Sequence, residues 1–377
     1  MSHITLIGPA HPYRGGIAHF NEMTMQALAA RGHDVQAVTF RRQYPERLFP
    51  GKTQYAEGEA PPEGVPVAAR VIDTLSPWTW WRAARHVARK QPDAVVFQYW
   101  MPFFAPAYGT IARYLRRRGV RVLAVVHNAL PHERHPGDAA LGRFFLRACD
   151  GFVVMSDAVA ADLRPLRRDE APVRRIDHPV YARFGASVSK GEARRELGLP
   201  AEAPVLLFFG FVRAYKGLHV LLDALPEVAA ALPDVRLVVA GEFYDDPALY
   251  RAQIERHGLG DRVVVHDRYI PSAAVPAYFG AADLVVQPYV SATQSGVAQI
   301  AFHFERPVVV TDVGGLAEVV PHGEAGLVVP PDDPEALARA VVRFFRDEMQ
   351  APLAEGVRRQ KERYHPDRLV DAIEDLL

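Results

Sequence analysis

Short apolar runs rich in Val recur along the whole chain, and segments with a helical pattern separate many of them. The runs are HITLIG, DVQAVTF, DAVVFQY, VRVLAVVH and DGFVVM in the first half, and VLLFFG, DVRLVVAGE, RVVVHD, DLVVQPY and PVVVTD in the second. Such runs are typical of strands that are buried on both faces of a parallel sheet, with helices as the crossovers. The alternation predicts an α/β protein with two Rossmann-like domains that face each other across a cleft.

The domain boundaries follow from where the pattern stops. The segment 174–200 contains no convincing strand and is interpreted as the connection between the domains. We predict a first domain over 1–185 and a second over 186–365, since 377 residues suit two domains. The last residues, PDRLVDAIEDLL, have the pattern of an amphipathic helix over 366–377, which we expect to pack back on the first domain.

Several classes of protein are disfavoured by what the sequence lacks. No G-x-G-x-x-G motif follows a strand, which argues against a nicotinamide oxidoreductase, and the Walker phosphate loop is absent as well. No Cys/His cluster has zinc spacing, so no metal ligand is predicted. The lone Cys149, with no signal-like segment and no apolar run near ~20 residues, favours a cytoplasmic protein.

Charge is unevenly distributed although the net charge is zero. Residues 1–185 hold 25 Lys and Arg against 16 Asp and Glu (+9), and residues 186–377 hold 19 against 28 (−9). This asymmetry suggests that the first half binds an anionic partner. We expect that this partner is not a nucleic acid. The densest cluster, Arg113 to Arg121, is interpreted either as a solvated helix face ending at Gly119 or as a peripheral contact with the inner face of the membrane.

One loop has the composition of a phosphate site. The apolar run from Val205 to Phe211 opens directly into a turn with Arg213, Lys216 and Gly217, and a helical segment follows. A helix N-terminus offers free N–H groups to an anion, and two cations add charge-assisted contacts. The alternative is that both cations are solvated loop charges.

Several segments, taken in order, resemble one family. They are GPAHPYRGGIAHFNEMTMQALAARGHDVQAVTF, LAVVHN, DGFVVMSDAVAADL, LLFFGFVRAYKGLHVLLDAL, RLVVAGE and RPVVVTDVGGLAEVVPHGEAGLVVPPDDPEALARAV. Together they resemble the nucleotide-sugar-dependent glycosyltransferases of family four, which have the GT-B fold. The resemblance spans nearly the whole chain. It implies a retaining, metal-independent transfer from a nucleotide diphosphate sugar to a glycan, lipid-linked or small-molecule acceptor, as in cell-wall or polysaccharide biosynthesis. The nucleotide sugar would be the donor substrate, and no cofactor is implied.

The resemblance also implies roles for individual residues. Arg213 and Lys216 match the family's phosphate-binding pair, three apart here where many members have five. Such cations would stabilise the charge that develops on the departing diphosphate. His127 matches the family His that reaches the donor sugar or the reacting centre; otherwise it is a satisfied loop residue. The second half would hold the donor and the first half the acceptor.

Two further loops are candidate binding segments. Gly15 and Gly16 would let backbone N–H groups approach the diphosphate or the sugar, unless they form only a tight turn before a helix. Tyr269 and Ile270 lie in the segment where the family places the nucleotide base; an ordinary edge loop is the alternative.

The chain departs from the family at its usual pair of Glu residues. The first position falls near Thr293 and the second on Ile300 or Ala301, and no Asp or Glu occurs between Asp283 and Glu305. We expect a small-residue loop and helix start to bind the diphosphate or a sugar hydroxyl instead, through neutral side chains and backbone N–H groups. Its residues are Thr293, Gln294, Ser295, Gly296 and Val297.

Two functions are therefore considered. The first is a GT-B glycosyltransferase that carries His127, Arg213 and Lys216 as catalytic residues. The second is a non-catalytic subunit of the same fold that binds a nucleotide sugar or a glycan. The missing acids favour the second function, and the retained phosphate cations favour the first.

Overall fold

The computed structural model describes residues 1–46, 49, 51–56, 60–131, 135–180, 184–292 and 295–377. The chain divides into two compact units, residues 1–179 with 365–377 and residues 180–364. The first boundary lies six residues before the expected one. Val180 already belongs to the second unit, where its N–H donates to the carbonyl oxygen of Tyr364.

The first unit is built on a seven-stranded parallel sheet of order β3-β2-β1-β4-β5-β6-β7. Its strands are β1 (His3–Ile7), β2 (Asp34–Arg42), β3 (Ala69–Asp73), β4 (Ala94–Tyr99), β5 (Arg121–Val126), β6 (Gly151–Val154) and β7 (Val173–Arg175). Its helices are α1 (Gly16–Ala30), α2 (Pro77–Ala88), α3 (Ala105–Arg116), α4 (Asp138–Leu146), α5 (Asp157–Leu163) and, from the chain end, α14 (Asp367–Glu374).

The second unit is built on a six-stranded parallel sheet of order β10-β9-β8-β11-β12-β13. Its strands are β8 (Val205–Phe209), β9 (Arg236–Ala240), β10 (Val263–His266), β11 (Leu284–Gln287), β12 (Val308–Thr311) and β13 (Gly326–Val329). Its helices are α6 (Lys190–Glu196), α7 (Leu218–Ala231), α8 (Pro247–Arg256), α9 (Val275–Ala281), α10 (Gly296–His303), α11 (Leu316–Val319), α12 (Pro334–Arg346) and α13 (Gln350–Lys361).

Both sheets confirm the predicted fold class, because each is a parallel sheet of Rossmann type with helical crossovers. In each unit the strand order reverses at one place, between β1 and β4 in the first and between β8 and β11 in the second. In open sheets of this kind, ligands bind at the carboxyl ends of the strands beside that reversal. The fold thus marks one candidate position in each unit.

Three strands were not predicted. They are β3, β7 and β13, and each lies at the edge of its sheet. The prediction of no strand in 174–200 was wrong at its start, because β7 ends on Arg175. Edge strands can be only partly covered, and β3 and β7 accordingly lack the continuous apolar runs of central strands; β3, for example, buries only Ile72. This reason does not apply to β13, which is apolar and has three of its four residues buried.

The C-terminal helix α14 packs within the first unit. Its residues Asp371 and Glu374 accept hydrogen bonds from Arg31 just beyond α1, and Leu376 lies close to Gly151 of β6. Its apolar residues Leu369, Val370 and Ile373 are buried. Within the described ranges, no helix is long and apolar enough to cross a membrane.

A buried ion pair anchors the amino end of β8. Asp283 accepts a hydrogen bond of 2.7 Å from Arg194 and one of 2.8 Å from the N–H of Val205, the first residue of β8. Both charged side chains are buried. Lys190, which is 45% exposed, adds a bond of 2.6 Å to the same carboxylate.

Candidate functional site

The loop between β8 and α7 carries the predicted phosphate residues to the point where the strand order reverses. After β8, Arg213 precedes a short 3-10 helix, Ala214–Lys216, and α7 begins directly after Gly217. Gly217 has a left-handed φ of 68°, and a side chain there would clash with the carbonyl oxygen of Pro288, which follows β11. Only glycine therefore allows this loop to lie against the end of β11.

Lys216 lies close to residues from three parts of the second unit: the loop after β8, the loop after β11 and the start of α10. Its Nζ lies 5.7 Å from the centre of the Tyr289 ring. A Cβ atom placed on Gly210, the residue after β8, would lie 3.3 Å from this Nζ and 3.5 Å from Cγ2 of Val297 in α10. The structure thus brings together Lys216 and the start of α10, two segments that the sequence separates by about 80 residues.

Lys216 is a cation without an anionic partner. Among the described residues the Nζ of Lys216 forms neither a hydrogen bond nor a salt bridge, and the same holds for the Arg213 guanidinium, although the backbone N–H of Lys216 donates to the carbonyl oxygen of Arg213. Burial, together with the positive charge of Arg213, lowers the pKa of Lys216 to about 8. Two neighbouring cations with no carboxylate to neutralise them form a site that favours an anion.

The start of α10 provides hydrogen-bond donors beside Lys216. The Ser295 side chain caps the helix by accepting a bond from the N–H of Ala298, and its hydroxyl donates to the Gln287 side chain of β11. A helix leaves its first N–H groups unpaired, which here include those of Gly296 and Val297. Thr293 and Gln294, which we predicted to bind substrate, lie outside the described residues.

The sequence places the second of the missing family acids on Ile300 or Ala301, and both of these residues are buried in α10. At either position the structure has a buried apolar side chain where the resemblance implies a carboxylate. The neighbouring Gln299 is also fully buried.

Tyr269 belongs to a group of aromatic side chains beside Arg213. Its ring stacks on that of Phe211 at 6.5 Å, and Phe211 contacts Tyr244 at 4.6 Å. The Arg213 guanidinium lies 5.9 Å from the Tyr244 ring. Ile270 is buried, so its side chain is not available to a ligand.

His127 follows β5 in the first unit and is almost fully buried. Its Nε2 lies 2.8 Å from Oε1 of Gln98, and Phe20 of α1 meets its ring edge-on at 4.6 Å. Burial, with a smaller contribution from His178, lowers its pKa to about 3. His127 is therefore neutral near pH 7, and with its proton on Nε2 the free Nδ1 is a hydrogen-bond acceptor.

Gly15 and Gly16 lie where α1 begins, one helical turn before Phe20. Gly15 has a φ of 108°, a conformation that favours glycine. Gly16 differs, because its φ is not positive and a Cβ atom there would meet no heavy atom within 4 Å. The packing of the first unit leaves open space beside Gly16.

Several contacts of these residues were not predicted from the sequence. Gln98 and Gln287 each lie near the carboxyl end of the strand just across the strand reversal, in β4 and β11, and each bonds a predicted site residue. A buried Gln at the end of an otherwise apolar strand is the signal that could have found them. Within the described residues, no group of three or more His, Cys, Asp or Glu side chains is placed to hold a metal ion.

Comparison with known proteins assigns the chain to a family. Residues 14–183 match the family model described as Glycosyltransferase Family 4, and residues 203–347 match the one described as Glycosyl transferases group 1. The chain belongs to the family-four glycosyltransferases. The resemblance drawn from the sequence motifs is thereby confirmed, as is the prediction that the protein is a transferase.

Individual relatives of this glycosyltransferase agree with the assignment. A D-inositol 3-phosphate glycosyltransferase of Acidothermus cellulolyticus is 29% identical over 95% of this chain and 84% of its own length. The lipopolysaccharide core biosynthesis mannosyltransferase LpsB of Rhizobium meliloti is 27% identical over 64% of this chain and 68% of its own length.

Solved structures of low identity share the fold. Anabaena HepE, in a complex with UDP-glucose, has a TM-score of 0.77 at 18% identity and covers 99% of both chains. Sucrose-phosphate synthase from Thermosynechococcus elongatus has a TM-score of 0.76 at 21% identity and covers 99% of this chain and 98% of its own. These likenesses support the GT-B fold of the family-four chain.

Proposed function

We propose that this glycosyltransferase takes its sugar from a nucleotide diphosphate sugar and binds the diphosphate between Arg213, Lys216 and the start of α10. The observation that carries the proposal is Lys216 itself. It is a partly buried cation without an anionic partner among the described residues, and it lies beside the first turn of a helix at the strand reversal. The solved complex of HepE with UDP-glucose, a protein of the same fold, supports the donor class.

The base and the ribose would lie on the side of Arg213. Tyr269, with Phe211 and Tyr244, offers aromatic rings for stacking a base, and the backbone at Ile270 offers hydrogen bonds. Because no acidic side chain follows Asp283 before Glu305, the ribose would be read by neutral groups. These would include Ser295 and the predicted residues Thr293 and Gln294.

The transfer itself would need fixed positive charge more than a strong base. As the bond from the sugar to the diphosphate breaks, negative charge grows on the departing phosphate oxygen, where Lys216 and Arg213 would stabilise it. The acceptor hydroxyl would lose its proton to that same oxygen, on the face of the sugar that the leaving group occupied. The new bond would then form with retention, without a metal ion and without a cofactor.

His127 would serve this reaction as a neutral group. Its low pKa keeps the imidazole uncharged, so it would position a hydroxyl of the sugar or the acceptor by hydrogen bonding. Gln98 would fix its tautomer. The backbone at Gly15 and Gly16, with open space beside Gly16, would admit the diphosphate or the sugar closely.

The acceptor would be a glycan, a lipid-linked glycan or a small molecule held by the first unit. The relatives named for lipopolysaccharide core and inositol phosphate glycosylation support the carbohydrate and phosphorylated classes.

The test is a screen of nucleotide sugars for hydrolysis and transfer by the wild type, followed by the same assays on the Lys216→Ala variant. We expect the variant to lose about 10²–10³ in rate, the usual effect of removing one group that stabilises transition-state charge. Lys190→Ala is the matched control, because Lys190 lies in the same unit at the opposite end of β8 and should leave the rate unchanged. Equal rates for wild type and Lys216→Ala would refute the phosphate role. Tight binding of a nucleotide sugar with no turnover for any acceptor would instead favour the non-catalytic function.

A further inference from the structure

Helix α2 exposes two tryptophan side chains that contribute nothing to the core. Trp78 is 64% exposed and Trp81 is 37% exposed, and their rings stack on each other at 5.1 Å. Trp80, between them, behaves differently: its Nε1 donates a bond of 2.7 Å to the carbonyl oxygen of Asp73, and its ring packs against the core of the first unit. The outer pair therefore has no role in folding that the structure reveals.

The same face of α2 continues with cations. Arg82, Arg85 and Arg89 follow Trp78 and Trp81 at helical spacing and are exposed, and the Arg85 guanidinium lies 4.5 Å from the centre of the Trp81 ring. The helix contains no acidic residue. Its exposed face is thus aromatic at the amino end and basic at the carboxyl end.

Neighbouring helices extend this surface. Helix α3 packs between α2 and α4, and the exposed residues of α3, α4 and the positions just after them include Arg117, Arg118, Leu141, Arg143, Phe144 and Arg147. Across segments 77–90, 105–118 and 138–147 there are ten Lys and Arg residues, and Asp138 is the only acid. The surface of α2, α3 and α4 therefore combines exposed aromatic rings with a strong excess of positive charge.

We propose that the α2 surface, defined by Trp78, Trp81, Arg82, Arg85 and Arg89, binds an anionic lipid bilayer. Tryptophan prefers the boundary between lipid and water, and a basic amphipathic helix lies in that boundary with its apolar side chains inserted. Anionic headgroups attract the cations, each of which strengthens binding about fivefold near such a surface. A small soluble anion would explain the arginines but would leave the stacked tryptophans exposed, whereas an anionic polysaccharide would cover both and is distinguished from a bilayer by the test below.

The α2 surface is distinct from the Arg113–Arg121 cluster that the sequence suggested as a membrane contact. Within Arg113–Arg121, four of the five guanidinium groups have intramolecular partners that hold them on the protein, and that of Arg118 donates to the carbonyl oxygen of Tyr114. Arg113 lies over the Phe144 ring at 3.8 Å, Arg116 pairs with Asp150 at 2.9 Å, and Arg121 donates to the carbonyl oxygen of Leu376. The α2 arginines form no salt bridge among the described residues.

The position of the tryptophans bears on the acceptor. Because α2 follows β3, its amino end lies at the carboxyl edge of the first sheet, the same edge at which β5 presents His127. A bilayer at Trp78 would thus bring lipid to the edge where the proposed acceptor binds, which favours a lipid-linked acceptor. The bilayer contact goes beyond the proposed donor chemistry and does not depend on it.

The test is sedimentation of the full chain with vesicles of phosphatidylcholine alone and of phosphatidylcholine mixed with phosphatidylglycerol. We expect the wild type to bind the anionic vesicles at least tenfold more tightly, and W78S/W81S to lose at least tenfold of that affinity. The control is Leu249→Ser, which removes a side chain that is 68% exposed on α8 of the second unit and should change nothing. Nucleoside diphosphate binding, measured on the same samples, separates this result from the fate of the donor proposal.

A second variant keeps the test decisive if the tryptophan variant fails to fold. R82Q/R85Q should lower affinity for anionic vesicles about 25-fold and flatten its dependence on salt. The proposal is overturned if the wild type ignores anionic vesicles, if it binds both vesicle types equally, or if the folded tryptophan variant binds like the wild type. Binding to a soluble anionic polysaccharide without binding to vesicles would overturn it as well.

Discussion

If Lys216 binds the donor diphosphate as proposed, its low pKa makes the affinity for the donor depend on pH in a defined direction. Lys216 is charged below pH 8 and neutral above it, because its pKa in the free protein is about 8. An anionic diphosphate needs the charged form, so affinity should fall as pH rises through 8. The charged fraction drops about tenfold between pH 7 and pH 9, and kcat/KM for the nucleotide sugar should drop by the same factor.

Binding of the diphosphate should itself raise the pKa of Lys216, because the bound anion favours the charged amine. Two consequences follow. At saturating donor, kcat should stay level to a higher pH than kcat/KM does. At pH 9, where about nine in ten free molecules carry a neutral Lys216, binding of a nucleoside diphosphate should take up close to one proton.

Calorimetry in buffers with different ionisation enthalpies measures this proton uptake directly, with UDP, GDP and ADP as probes. Lys216→Arg is the matched variant, because arginine stays charged across this range and should lose the alkaline fall while keeping some affinity. If wild type and Lys216→Arg show the same fall above pH 8, another group causes it. If neither proton uptake nor a fall is seen in the wild type, Lys216 does not contact the diphosphate.

Three further predictions concern the stability of the second unit and the metal dependence of transfer. Asp283→Ala should destabilise the second unit by about 3–5 kcal/mol, because it leaves the buried Arg194 cation unpaired. All four Trp residues lie within residues 78–100 of the first unit, so tryptophan emission reports the unfolding of that unit alone. The variant should therefore lower the urea midpoint measured by far-UV circular dichroism and leave the midpoint measured by tryptophan emission unchanged. An equal shift of both midpoints would contradict the placement of the ion pair in the second unit. Gly217→Ala should lower the free energy of unfolding by more than about 2 kcal/mol and weaken nucleotide binding, because the added methyl group would clash with Pro288. The control is Gly191→Ala in α6, which has open space around it and should be neutral or stabilising. Transfer should survive treatment with a chelator, because cations of the chain would neutralise the diphosphate; loss of activity that Mn²⁺ restores would argue against this.

The fold was largely predictable because central parallel strands have continuous apolar sequences. Strands such as β8 and β12 are buried on both faces, and their Val and Leu runs mark them within a residue or two. The edge strands β3 and β7 escaped because half-covered positions admit residues such as Arg70 and Arg174, which interrupt the pattern. Burial, more than strand propensity, was the signal.

The arrangement of the candidate site residues was predictable in part for a related reason. Lys216 and Gly217 follow a recognisable strand directly, so their position could be inferred from local sequence. The proximity of Lys216 to Tyr289 and to α10 depends on which strand lies beside β8, and the order of the strands along the chain does not reveal that neighbour. Gln98 was missed for the same reason, since only the pairing of β4 with β5 brings it to His127.

Gly16 separates the demands of stability from those of ligand binding. Alanine would fit the free protein at this position, and it would recover part of the roughly 1 kcal/mol that glycine costs a helix. A search for more stable variants would therefore select Gly16→Ala, and its melting temperature should indeed rise. The same methyl group would fill the space through which the proposed ligand approaches the backbone. Selection for thermal stability alone would therefore replace a residue that the proposed binding of the ligand requires.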